Sequence, residues 1–87
     1  MKNSKSIDRV IQIDDINIGK NITILRKSMN IKQTEMVARL QIAGVDISIY
    51  SYNRVEKGKQ NPTVSFLFAC CKILNCDMNT LFNYPID

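Results

Sequence analysis

The chain contains no histidine, no tryptophan and only two glutamates among its 87 residues. Without histidine it lacks the side chain most used as a general base and a common zinc ligand. No glycine-rich phosphate loop occurs, and no paired carboxylates fall in a plausible pocket, so the sequence offers little for an enzyme. Long apolar runs are missing too. Stretches such as Phe66 to Cys71 fall far short of the roughly 20 residues that cross a bilayer. The first residues are polar and carry no apolar leader. These absences imply a cytoplasmic chain with no membrane partner and no cofactor.

Glycine and proline are scarce as well, at three and two residues, which argues against a turn-rich β-sandwich. What is present is a 45% apolar composition rich in isoleucine and leucine, enough for one modest core and too short for a second domain. The fold class expected is all-α. Three cysteines, Cys70, Cys71 and Cys76, sit in the most apolar stretch. They read as reduced, mostly buried small residues. A metal site is not expected, because adjacent cysteines point to different sides of a helix and no fourth ligand is near. A redox role for the three is left open.

The net charge of +4 is unevenly spread. Residues 1–18 balance Lys2, Lys5 and Arg9 against Asp8, Asp14 and Asp15, whereas Lys57 through Cys76 carries three lysines and no acid. Such a segment suits a surface facing phosphates, although a solvated basic face would look the same.

Residues 1–14 read as a flexible N-terminal tail with an apolar cluster of Ile7, Val10, Ile11 and Ile13. A weak period of two over Arg9 to Asp14 would also suit a short strand pairing with a partner chain. The domain proper is expected over residues 15–87. Asp14 or Asp15 is placed to cap a first helix over Asp15 to Met29, with Ile18, Ile22, Leu25 and Met29 on one face and Asn30 as its stop. A second helix starts at Gln33, with a stripe of Met36, Val37, Leu40 and Ala43, and closes at Gly44. Val45 to Ile47 forms the turn. Ser48 caps a third helix that faces Tyr52 and Val55 inward and Ile49, Tyr50, Asn53, Arg54 and Lys57 outward, ending at Gly58. Thr63 caps a fourth, whose apolar face is Phe66, Leu67, Cys70, Cys71 and Leu74 and whose stop is Asn75. Asp77 caps a short fifth over Met78 to Phe82.

Two helices joined by a turn, the second with a polar outer face, form an arrangement that docks a helix in the major groove. The series Ile22, Leu25-Arg26, Gln33, Met36-Val37, Val55-Glu56, Gly58, Pro62, Leu67, Leu74 and Leu81-Phe82 resembles the lambda-repressor-like helix-turn-helix family, of the Cro and phage-repressor (XRE) type. The likeness spans about Ile18 to Phe82. It implies a five-helix bundle and roles for particular residues. Gln33 would bond a DNA phosphate at the start of helix two. Arg26 and Glu56 would form a structural ion pair, the other reading of Arg26 being a phosphate contact. Ser48 and the outward Ile49, Tyr50, Asn53 and Arg54 would face DNA, with Arg54 suited to guanine and Asn53 to adenine. Tyr50 and Ile49 would pack on thymine methyls or reach a phosphate. Lys57, Lys59 and Asn61 would grip the backbone, with Lys27 and Lys32 adding charge.

Two departures stand out. Gln33 to Glu56 spans 23 residues, longer by about five than the commoner form of the family, whose turn takes three to four residues. An extra turn on helix two plus a longer loop within Gln41 to Asp46 would absorb the excess. Tyr52 stands where the family prefers an aliphatic residue, and its hydroxyl needs a partner. The resemblance implies a sequence-specific double-stranded DNA-binding regulator, a repressor acting as a homodimer on a two-fold operator, with the dimer contact at Leu81, Phe82, Tyr84 and Ile86 or at Ile11 and Ile13. The alternative is a protein-interaction module, such as an antitoxin or accessory factor with weak DNA binding.

Overall fold

A computed structural model describes residues 17–83, and these form five helices: α1 (Ile18–Ser28), α2 (Gln33–Ile42), α3 (Ile49–Glu56), α4 (Val64–Leu74) and α5 (Met78–Asn83). The apolar cluster near Ile11, the period-two stretch from Arg9 to Asp14, and Tyr84 and Ile86 lie outside the described residues.

The helix starts follow short polar side chains. Asn17, rather than Asp14 or Asp15, caps α1, its Oδ1 accepting the Lys20 N–H at 2.9 Å. Asparagine serves a cap as well as aspartate, and Ile18, fully buried, is the first residue that must enter the core. Ser48 accepts from the Ser51 N–H at 3.1 Å, Thr63 from that of Phe66 at 3.1 Å, and Asp77 from that of Thr80 at 2.8 Å. Helix α2 differs, since Lys32 stands at its N-cap and supplies no side-chain bond.

Four helices stop in one way. Asn30, Gly44, Gly58 and Asn75 all adopt positive φ. In each case the following N–H reaches back to a carbonyl five residues earlier: Ile31 to Arg26, Val45 to Leu40, Lys59 to Arg54, and Cys76 to Cys71. This is the Schellman stop, which satisfies carbonyls that the helix itself leaves open. It also corrects two positions on the expected stripes. Met29 and Ala43 are C-caps and stand exposed, because the chain is already turning there. Ile31, just past the left-handed residue, is buried in the core instead.

The core joins Ile18 and Ile22 of α1, Met36 and Leu40 of α2, Tyr52 and Val55 of α3, Phe66, Leu67 and Cys70 of α4, and Leu81 of α5. The rings of Tyr52 and Phe66 lie 6.0 Å apart at 41°, an inclined pairing of the kind aromatic quadrupoles favour. Leu81 is fully buried. Its side chain fills the centre of its own molecule and is not a surface group for a second copy.

Two contacts set how α1 meets its neighbours. A Cβ on Gly19 would fall 2.2 Å from the Val55 carbonyl oxygen and 2.7 Å from that of Glu56, so α1 and the end of α3 touch backbone to backbone. Asn21, also buried, donates from Nδ2 to the Leu81 carbonyl at 2.6 Å and ties α1 to α5. Between α2 and α3 the chain takes six residues, Ala43 to Ser48, against the usual three to four. The added length is not loose. Val45 and Ile47 pack on the core, and Gln41 Nε2 donates to the Ile47 carbonyl at 3.0 Å. No helix among the described residues is long and apolar enough to cross a membrane.

Candidate nucleic-acid interface

Helix α3 is held at its C-terminal end by one buried carboxylate. Glu56 Oε2 accepts from Arg26 Nε at 2.7 Å and Oε1 from Arg26 Nη2 at 3.1 Å, a two-pronged pair buried on both sides. Arg26 Nη1 reaches on to the Ile31 carbonyl at 2.7 Å. The same carboxylate accepts from the Tyr52 hydroxyl and, at 2.9 Å, from Gln33 Nε2. Tyr52, one turn before Glu56, thus finds its partner within its own helix.

Burial pushes the Glu56 carboxyl up, but the bonds from Arg26, Tyr52 and Gln33 outweigh it and hold the group below the ordinary glutamate range. The hydrogen bond to Glu56 raises Arg26, against the opposing effect of its burial. Burial and the bond to Glu56 also raise Tyr52, which stays a neutral donor. A charged pair with every prong occupied is the form in which a buried ion pair is tolerated.

Outward from this anchor the candidate residues divide into three sets. Gln33, Asn53 and Lys57 meet in a cleft of about 380 Å³ with Asn17, Lys20, Thr23 and Lys27. Asn53 Nδ2 donates to Gln33 Oε1 at 3.3 Å, which links α3 to the first turn of α2. Ser48 and Asn61 line a second cleft of about 420 Å³ with Asp46, Ser51, Gln60 and Thr63, between the starts of α3 and α4. Ile49 and Tyr50 belong to neither cleft and stand out from the first turn of α3, 43% and 70% exposed. Arg54 bridges Tyr50 and Lys59: its guanidinium lies 5.8 Å from the centre of the Tyr50 ring and donates to the Lys59 carbonyl at 2.9 Å. Lys57 and Lys59 are exposed.

The profile of a helix-turn-helix family, of the Cro/C1 type, matches residues 22–81. The chain belongs to that family. No curated protein matches it. The family is a DNA-binding one, and its match covers α1 from Ile22, the α2–α3 pair with its long connection, α4 and most of α5. In this helix-turn-helix protein, α3 is the second helix of the pair, and its exposed Ile49 and Tyr50 and half-buried Asn53 and Arg54 lie outside the core.

Reasoning from sequence missed Lys20, which lines the same cleft as Lys27 and Lys57. Its signal was available: Lys20 and Lys27 are seven residues apart, two helical turns, and so share a face. It also missed the bonds of Gln33 to Glu56 and Asn53. Those joins depend on how two helices cross, which no local spacing states.

Proposed function

We propose that the protein is a sequence-specific double-stranded DNA-binding transcriptional regulator, a repressor that works in the cytosol as a homodimer on a two-fold operator. The observation that carries this reading is α3 itself: a short helix fixed at its inner end by Glu56 and Gly19, presenting Ile49, Tyr50, Asn53 and Arg54 within the family's DNA-binding pair.

Each set of residues takes a role its chemistry allows. Lys20, Lys27 and Lys57, around the Gln33 cleft, supply positive charge for a phosphate. The start of α2, which has no side-chain cap at Lys32, offers backbone N–H groups beside it. A side-chain amide carries two N–H donors, so Gln33 can hold Glu56 with one and meet phosphate with the other. Ile49 and Tyr50 pack on thymine methyl groups. Arg54 has five N–H donors, so its bond to Lys59 leaves a fork for guanine, and Asn53 serves adenine. Ser48, Lys59 and Asn61 touch the backbone beside the helix. Asp46 lines the Asn61 cleft, and its negative charge places most of the phosphate attraction on the lysine side.

A single module of this size buries only about 600–1,000 Å² on DNA, so a second copy adds affinity and specificity. Leu81 lies in the core, so the second copy would meet Phe82 and the residues after it, or the tail near Ile11 and Ile13. The test is selection of bound duplexes from a random pool by the whole chain. An enriched site with two half-sites about 10 base pairs apart, centre to centre, is expected. Arg54→Ala should relax one base position at a cost of about 1–3 kcal/mol, while Lys59→Ala should weaken all sites alike. Failure to enrich any sequence, with tight binding to a protein partner instead, would replace this reading with that of an interaction module.

A further inference from the structure

The stop of α4 differs from the other three in one respect: both residues at its ends are thiols. The Cys76 N–H donates to the Cys71 carbonyl at 2.9 Å across left-handed Asn75. In a Schellman stop these two positions commonly share an apolar contact. The backbone closure that brings them together also brings their Cα atoms into the range that a disulfide requires. Cys76 is half-buried, Cys71 is buried with a small exposed remainder of 8%, and Cys70 is fully enclosed.

We infer that Cys71 and Cys76 form an oxidation site, in which a hydroperoxide converts the pair into an intramolecular disulfide that locks the turn between α4 and α5. The steps balance without a further reagent. The Cys76 sulfur attacks the terminal oxygen of the hydroperoxide, giving a sulfenic acid and releasing the alcohol, or water when the oxidant is hydrogen peroxide. The Cys71 sulfur then attacks the sulfenic sulfur, an S–S bond forms, and the hydroxyl leaves as water. Two thiols are oxidised and one peroxide bond is reduced. Cys70 takes no part, because it is enclosed among core side chains.

Burial pushes Cys71 up to about 11, and Cys76 is raised as well, by burial first and then by the charge of Asp77. The thiolate is the attacking form, so the reaction at neutral pH is slow and calls for hours in excess peroxide. Turns with an apolar pair at these positions have no such chemistry. The oxidised protein would hold the last turn of α4, Asn75 and Cys76 in one covalent ring, residues 71–76, which ends two residues before α5.

Lys72 lies between the two thiols, which makes the product easy to read. Full-length protein is treated with excess hydrogen peroxide, blocked with iodoacetamide and digested with trypsin without reduction. A Cys71–Cys76 disulfide joins peptide 60–72 to peptide 73–87, whereas a Cys70–Cys71 bond would stay within peptide 60–72. The joined species is expected at one copy per chain, in wild type and in Cys70→Ser, and absent in Cys76→Ser. Thiols open to iodoacetamide after denaturation should fall from three to one. Persistence of all three thiols, joined peptides only between separate chains, or loss of the joined species in a folded Cys70→Ser variant would each overturn the inference.

Discussion

Glu56 receives four hydrogen bonds from three side chains, and the loss of any donor should be measurable in stability. Glu56→Gln leaves Arg26 buried without a counter-charge, at an expected cost of about 3–5 kcal/mol by denaturant unfolding. Tyr52→Phe removes one neutral donor and keeps the ring, so about 1.5–3 kcal/mol is expected. The carboxyl is held below its ordinary range in the folded chain. As pH falls, the unfolded chain therefore takes up the Glu56 proton first. The contribution is complete above about pH 4.3, the ordinary glutamate value, and is lost as pH drops through the lower folded value. Thermal melting across that range should show a slope that Glu56→Gln lacks, while Asp77, lowered by its bonds from Thr80, keeps its own share in both proteins. Gly19→Ala would set a methyl against two backbone carbonyls that have no rotamer to turn away. A net loss of about 1–3 kcal/mol is expected, despite the helix preference for alanine. Of these contacts only the Tyr52–Glu56 bond, between residues four apart on one helix, has a local spacing. Nothing in the local pattern singles out Gly19, and the Arg26–Glu56 pair was reached through family likeness, since partners 30 residues apart leave no periodic trace.

At the scale of the element, the ends of helices were the most legible feature. Asn30, Gly44, Gly58 and Asn75 could be placed from sequence because few residues tolerate positive φ. Ser48, Thr63 and Asp77 could be placed because their side chains reach a backbone N–H three residues on. Asn17 was passed over for Asp14 and Asp15, since all three are good caps and only the burial of Ile18 separates them. The long α2–α3 connection was expected, but its packing was not, because Val45 and Ile47 are too few to give a period. Ser48→Ala should cost about 1 kcal/mol. The effect on DNA should be larger at bases met by the first turn of α3 than at those met by Asn53, and affinity measured on single-base variants of the selected site would show it.

For the whole molecule, salt dependence separates phosphate contacts from the rest. Each phosphate contact contributes about 0.9 to the slope of log affinity against log salt. Lys20→Ala and Lys27→Ala should each lower that slope by about one unit per protomer while leaving base preference intact. A slope unchanged in both would remove the lysine cleft from the interface. The order of the helices and their inner faces could be read from the chain; the basic cleft and the cleft beside Asp46 could not, because they follow from helix crossing. The bare contact at Gly19 has a further mechanical effect. With no side chain at Gly19 to separate α1 from the Val55 and Glu56 carbonyls, there is nothing compressible at that contact, and the Glu56 carboxylate beside it fixes the rotation. If α3 reads DNA as proposed, a helix mounted so stiffly cannot roll to suit an imperfect site. Misfit is then borne by the duplex, and sequences that bend cheaply will be preferred even at base pairs the protein never touches.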